Sequence, residues 1–127
     1  MEEIKKKLGD CFKRSSVIFA YLFGSVAEGK EGVLSDIDIA VYFDEKVDYF
    51  DEKVKLLGEI MNILRKDDID IVVLNISPPL ISHRIVKFGK LIYSKDEKKR
   101  IEYEVRSVLR YLDWKPFLMK YTKEVFG

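Results

Sequence analysis

Cysteine is almost absent from this sequence, since Cys11 is the only one among 127 residues. A single thiol excludes an internal disulfide and excludes a zinc site built from several cysteines. Chains without disulfides are typical of reducing compartments. We therefore predict a cytoplasmic protein.

Long apolar runs and an excess of one charge are also missing. No run approaches the ~20 apolar residues of a membrane-spanning helix, and the N-terminal segment MEEIKKK has no apolar signal core. The formal net charge is only +1, whereas proteins that bind nucleic acid non-specifically are usually strongly basic. We predict no membrane association and no strong nucleic-acid binding.

The composition is that of an ordinary folded protein, with 47% hydrophobic and 35% charged residues. A chain of 127 residues suffices for one core and is too short for two. We predict a single domain over 1–127, whose C-terminal segment, about 96–127, is helical.

The most informative stretch begins with the apolar segment Val17–Phe23, which is rich in β-branched and aromatic residues and predicts a buried strand. The segment ends at Gly24-Ser25, a pair suited to a tight turn whose backbone amides face an anion. We predict a phosphate-binding turn at Gly24 and Ser25.

Two carboxylates follow on what the pattern predicts to be the next strand. From Asp36 to Val41 the sequence alternates, so Asp36 and Asp38 share one face of the strand. Like charges at this spacing repel each other unless a cation lies between them. Hard oxygen ligands favour Mg²⁺ or Mn²⁺, and Mg²⁺ often completes its shell with substrate phosphates. Turn and carboxylates together predict a nucleotide site.

Other readings of this stretch fail or explain less. A Walker A loop at Gly24-x4-Gly29-Lys30 would need Ser or Thr where Glu31 stands, and an EF-hand starting at Asp36 would need a glycine at Val41. A surface hairpin in which Asp36 only caps a turn would leave the spacing of the whole stretch unexplained.

Periodic patterns predict the remaining elements. We predict helices over 2–14, 44–65 with Asp44 as N-cap, 79–89 and 95–113, and strands over 36–43, 68–74 and 91–93. Two predicted helices carry apolar stripes, formed by Val47, Phe50, Val54, Leu57, Met61 and Leu64 in one and by Ile101, Val105, Val108, Leu109 and Leu112 in the other. The aromatic-rich segment from Trp114 onward either forms a partner surface or packs across the sheet.

Ten residues separate Ser25 from Asp36, and the stretch therefore resembles the nucleotidyltransferase superfamily related to DNA polymerase β, whose motif is Gly-Ser, ten residues, then Asp-x-Asp. The resemblance implies an α/β (α+β) fold with a small mixed sheet flanked by helices. It also implies a third carboxylate from a neighbouring strand, and the matching position is Asp70, preferred over Asp68 because it lies inside the predicted strand.

Within that superfamily the chain looks most like the minimal nucleotidyltransferases (MNT) of HEPN/MNT toxin–antitoxin pairs. That likeness implies transfer of AMP from ATP to a tyrosine of a HEPN toxin, with two Mg²⁺ or Mn²⁺ ions held by Asp36, Asp38 and Asp70 and with ATP contacted by Gly24, Ser25 and Lys30. A non-catalytic toxin-binding module and a small-molecule nucleotidyltransferase of the aminoglycoside-modifying kind are the alternatives. The sequence leaves homo-oligomer formation open.

Overall fold

A four-stranded sheet covered by helices makes up the computed structural model, which describes residues 2–24 and 37–126 apart from the side chains at 117–119 and 121–126. A short 3-10 turn, Leu74–Ile76, follows the third strand. In chain order the elements are α1 Glu2–Arg14, β1 Val17–Phe23, β2 Ile37–Phe43, α2 Tyr49–Leu64, β3 Ile69–Val73, α3 Pro79–Phe88, β4 Lys90–Ser94 and α4 Glu97–Phe126.

The strands lie in the order β3-β2-β1-β4. β1 is antiparallel to β2 and to β4, whereas β2 and β3 are parallel. A parallel pair needs a crossover connection, which α2 supplies here. The sheet is thus mixed and flanked by helices, as predicted.

Both faces of the sheet are covered, and the alternation along β2 assigns each side chain to one of them. Ile37, Ile39 and Val41 face a core shared with α1 and α2. Ala40 and Tyr42 face a second core shared with α3 and α4. Burial on both faces explains why β1 reads as an unbroken apolar run.

The first and third helices match the predicted bounds closely. α1 buries Leu8 and Phe12, two of the apolar positions that predicted it. α3 begins at Pro79, whose fixed backbone angle suits a first helical position, and ends at Gly89, whose amide donates to Ile85 O at 2.7 Å.

The predicted start of α2 was wrong. The N-cap is Asp48 rather than Asp44, and its side chain accepts from the amide of Asp51 at 3.0 Å. Asp44 instead accepts from the Lys46 amide within the preceding turn. The predicted stripe was also partly wrong, because the fully buried side chains are those of Leu56 and Ile60. Two members of the predicted stripe, Phe50 and Val54, are 73% and 55% exposed.

We expect Asp48→Ala to lower the free energy of unfolding by about 1 kcal/mol, because the substitution removes the acceptor for the Asp51 amide at the start of α2. Asp44→Ala is the matched control and should cost less than about 0.5 kcal/mol. Urea denaturation followed by circular dichroism measures both. Equal losses in the two variants would contradict the assigned cap.

The long C-terminal helix α4 also departs from the prediction. It does not end near Asp113, as the predicted helix 95–113 does, but continues through Pro116 to Phe126, within the segment of about 96–127 that was predicted to be helical. Its core-facing positions include Tyr103 and Ser107. The predicted apolar stripe faces outward instead, with 39–55% of each side chain exposed at Ile101, Val105, Val108, Leu109 and Leu112.

Polar contacts hold α4 against the sheet and explain why a tyrosine faces inward. The Tyr103 hydroxyl donates to Leu74 O at 3.0 Å, which satisfies its polar end inside the core. The Tyr21 hydroxyl donates to Glu104 at 2.5 Å, and Arg100 donates to the same carboxylate oxygen at 2.8 Å. Burial, with the neighbouring Glu104 carboxylate, raises the pKa of Tyr21.

No helix among the described residues is long and apolar enough to cross a bilayer.

Candidate active site

The turn at the end of β1 has a backbone conformation that favours glycine. Gly24 adopts a φ of +78°, a conformation that side chains disfavour. A Cβ atom placed there would collide with the Asp38 carboxylate, whose Cγ lies 3.2 Å from that position. The missing side chain at Gly24 thus lets the turn approach Asp38.

Asp38 and Asp70 lie side by side in the sheet. They are register partners on the parallel strands β2 and β3, and adjacent strands lie about 4.8 Å apart. Both carboxylates project from the face that also bears Ala40 and Val72. Asp38 is half-buried and Asp70 is exposed, so the pair is open to ligands on one side.

The register is fixed where the two strands begin. The amide of Ile37 donates to Asp68 O at 2.9 Å, immediately before the paired aspartates. Asp68 itself is exposed and lies outside β3, which begins at Ile69 rather than at the predicted residue 68.

Two carboxylates form a donor set of hard oxygens, which fits Mg²⁺ or Mn²⁺ better than a soft metal ion. Over residues 2–24 and 37–126 no group of three His, Cys, Asp or Glu side chains is close enough to hold a metal ion. Asp36, which was predicted to hold the metal ions with Asp38 and Asp70, lies outside the described residues, as do the predicted nucleotide contacts Ser25 and Lys30.

A cleft of about 500 Å³ opens beside Asp70, between the edge strand β3 and the start of α2. We call it the Asp70 cleft. Its walls are mostly apolar, and one cation, Lys53, is among its described lining residues. The side chains that face it include Tyr49, Phe50, Lys53, Ile76, Pro78 and Ile81.

A second cleft, of about 380 Å³, opens on the other side of the pair, beside Gly24. We call it the Gly24 cleft. Arg84 and Phe88 of α3 line it, and Ile81 borders both clefts. The paired aspartates therefore lie between the Asp70 cleft and the Gly24 cleft, which share Ile81 as a lining residue.

Lys53 and Arg84 were not among the contacts predicted from the sequence. Both lie on helices whose sequences give no sign of which face meets a site, so only the packing of α2 and α3 on the sheet reveals them. His83, the neighbour of Arg84, does not line either cleft and stacks on Tyr111 with ring centroids 3.8 Å apart.

Comparison with known proteins identifies a family model and several similar chains. Residues 4–98 match the family described as polymerase beta, nucleotidyltransferase. The protein adenylyltransferase MntA of Aphanizomenon flos-aquae (strain 2012/KM1/D3) is 36% identical over 97 residues, which cover 69% of this chain. The match spans only 64% of that relative's length.

Solved structures share the fold at lower identity. A chain of a toxin–antitoxin crystal structure with AMP-PNP has a TM-score of 0.81 and 22% identity, covering 97% of this chain and 98% of its own. A chain of the complex between tri-AMPylated Shewanella oneidensis HEPN toxin and MNT antitoxin has a TM-score of 0.77 and 20% identity, covering 99% and 98%.

The matched family region contains Gly24, Asp38 and Asp70 together with all the described strands. Since this region makes up most of the sequence, the chain belongs to the polymerase beta nucleotidyltransferase family.

Proposed function

We propose that this chain is an adenylyltransferase that moves AMP from ATP to a tyrosine of a HEPN-type toxin in the cytoplasm and thereby acts as its antitoxin. The observation that supports this most is the pairing of Asp38 with Asp70 beside the positive-φ turn at Gly24. The relatives named adenylyltransferase and MNT antitoxin favour AMP as the group moved and a HEPN toxin as the acceptor.

Asp38 and Asp70, with Asp36 from the same motif, would hold two Mg²⁺ or Mn²⁺ ions. Such ions neutralise phosphate charge and activate the attacking oxygen. Gly24 and Ser25 would bind the triphosphate through backbone amides, with Lys30 adding positive charge. Arg84, which lines the Gly24 cleft, is a further candidate for the phosphate tail because guanidinium groups bind phosphate oxygens in pairs.

The reaction is a displacement at the α-phosphorus of ATP. The tyrosine oxygen forms a bond to that phosphorus while the bond to the bridging oxygen breaks, and pyrophosphate leaves. The phenolic proton passes to a carboxylate of the pair or to water. The chain itself contributes position and charge stabilisation, which are the main sources of catalysis in phosphoryl transfer.

The test uses two forms of labelled ATP with the purified chain, Mg²⁺ and a HEPN-type toxin protein. Label in the α-phosphate should appear on the partner, and label in the γ-phosphate should not. Transfer of the γ-label would indicate a kinase instead. Transfer of neither label would exclude the enzyme and leave a binding module.

The exposed face of α4 supports a second function, in which the chain binds the toxin without modifying it. Ile101, Val105, Val108 and Leu112 recur at spacings of four and three, which places them on one side of the helix. Each is at least 39% exposed. An apolar row of this length on the surface commonly marks a protein interface. We propose that this row, together with Leu109, contacts the toxin.

We expect Val105→Asp to weaken toxin binding by about 100-fold or more, because the charge would be buried at the contact. The catalytic pair lies elsewhere, so Asp38→Asn should bind the toxin as tightly as the wild-type chain does. Glu102→Gln, an exposed change on the same helix, is the matched control. Isothermal titration calorimetry measures all three, and unchanged affinity in Val105→Asp would contradict the proposed contact.

A further inference from the structure

We propose that the Asp70 cleft receives the acceptor side chain and that its walls select an aromatic acceptor. This inference rests on the proposed transferase function and adds to it the place where the acceptor binds. It starts from the order of the site residues across the sheet.

Gly24, Asp38 and Asp70 follow one another along a line across the strands. Gly24 ends β1, Asp38 lies on the adjoining β2, and Asp70 lies on β3, which is the edge strand. With strands about 4.8 Å apart, the line from β1 to β3 is about 10 Å long. One end of this line opens into the Gly24 cleft and the other opens into the Asp70 cleft.

Because the displacement is in line, the two substrates are expected to bind at opposite ends of the line from Gly24 to Asp70. The attacking oxygen must approach the phosphorus from the side opposite the leaving pyrophosphate. If the turn at Gly24 binds the phosphate tail, pyrophosphate departs toward β1. The acceptor then has to enter from the β3 side, where the structure has the Asp70 cleft.

The walls of the Asp70 cleft suit an aromatic ring. Phe50 and Ile76, which are 73% and 70% exposed, line it together with Tyr49 and Pro78. Covering exposed apolar side chains with a ring lowers the free energy of the complex, and contacts between aromatic rings lower it further. A serine or threonine side chain is too small to cover these walls.

Lys53 adds a reason why the ring would be phenolic. It lines the same cleft as Asp70, so the walls of the cleft carry a cation as well as a carboxylate. A nearby cation stabilises the phenolate relative to the phenol. Tyrosine therefore suits both the apolar walls of the cleft and its two charged lining residues.

Two phenylalanines on opposite sides of the pair allow a matched test. Phe50 lines the Asp70 cleft and Phe88, 60% exposed, lines the Gly24 cleft. Phe50→Ala should raise KM for the toxin about tenfold and leave KM for ATP within about twofold. Phe88→Ala should change KM for ATP and leave KM for the toxin within about twofold. Steady-state transfer of α-labelled AMP measures all four constants.

A binding measurement without catalysis complements the kinetics. N-acetyltyrosinamide is added to ¹⁵N-labelled protein with Mg²⁺ and α,β-methylene-ATP, which cannot transfer AMP. Amide shifts should appear at Phe50, Lys53 and Ile76, and N-acetylserinamide should give none there. Shifts at Phe88 and Arg84 instead, or no saturable shifts, would overturn the assignment.

The outcomes separate this inference from the function on which it rests. A wild-type chain that transfers no AMP contradicts the proposed function. A wild-type chain that transfers AMP, with Phe50→Ala altering KM for ATP alone or altering neither constant, overturns only the acceptor cleft.

Discussion

Asp38→Asn is expected to lower AMP transfer by a factor on the order of 10³, which is the range for losing one preorganised electrostatic group in an active site. Asparagine keeps the size of the side chain and removes its charge. The half-buried carboxylate is paired in register with Asp70, so we expect Asp70→Asn to cause a loss of the same order. The initial rate of α-label transfer at saturating MgATP and toxin measures the effect.

Asp68→Asn is the matched control for both variants. Asp68 is exposed and precedes β3, and its contact with Ile37 uses the backbone oxygen, which the substitution keeps. Its transfer rate should stay within about twofold of wild type. The account is contradicted if Asp38→Asn, folded as judged by circular dichroism, retains about a tenth of the wild-type rate or more.

Gly24→Ala is expected to lower the transfer rate by about 100-fold and to raise KM for ATP. The new methyl group would press on the Asp38 carboxylate, and an alanine at positive φ costs about 1–2 kcal/mol. A displacement of about 1 Å at a reacting centre is enough for a loss of this size. Steady-state kinetics with α-labelled ATP gives both constants.

Gly9→Ala and Gly58→Ala are the controls for that substitution. Both glycines lie in helices, and nothing comes within 4 Å of an added Cβ at either position. Alanine should stabilise each helix by about 0.5–1 kcal/mol and leave transfer unchanged. If Gly24→Ala behaves like these two variants, the turn does not shape the site.

The strands could be predicted from the sequence because their signals are local. β1 has the predicted bounds, since an apolar run of strand length is followed by Gly24. β3 begins at Ile69, one residue later than predicted, and the described part of β2 begins at Ile37. Alternation of apolar and polar residues also placed Asp38 and Asp70 on strand faces without any knowledge of the sheet.

The helix faces could not be predicted in the same way. Asp44 and Asp48 are both good N-cap residues, and only the geometry of the turn after β2 selects Asp48. In α4 the apolar positions predict an apolar face of the helix, but they do not show whether that face packs on the sheet or lies on the surface. Tyr103 takes the inward position because its hydroxyl finds Leu74 O and Ser82.

The sequence names candidate site residues but does not predict how they are arranged. Spacing and resemblance pointed to Gly24, Asp38 and Asp70, but their neighbourhood depends on the parallel register of β2 and β3. That register depends on hydrogen bonds between two strands that α2 separates in the sequence. The two clefts depend in addition on where α2 and α3 pack, which explains why Lys53 and Arg84 were not among the predicted contacts.

Asp38 and Asp70 are expected to bind a divalent metal ion together, and the binding of Mn²⁺ by the protein measures this. Electron paramagnetic resonance of Mn²⁺, titrated with protein and α,β-methylene-ATP, reports the free ion. We expect the wild-type chain and Asp68→Asn to take up Mn²⁺ equally, and Asp38→Asn and Asp70→Asn each to bind it at least about tenfold more weakly. Equal uptake by all four proteins would contradict the account.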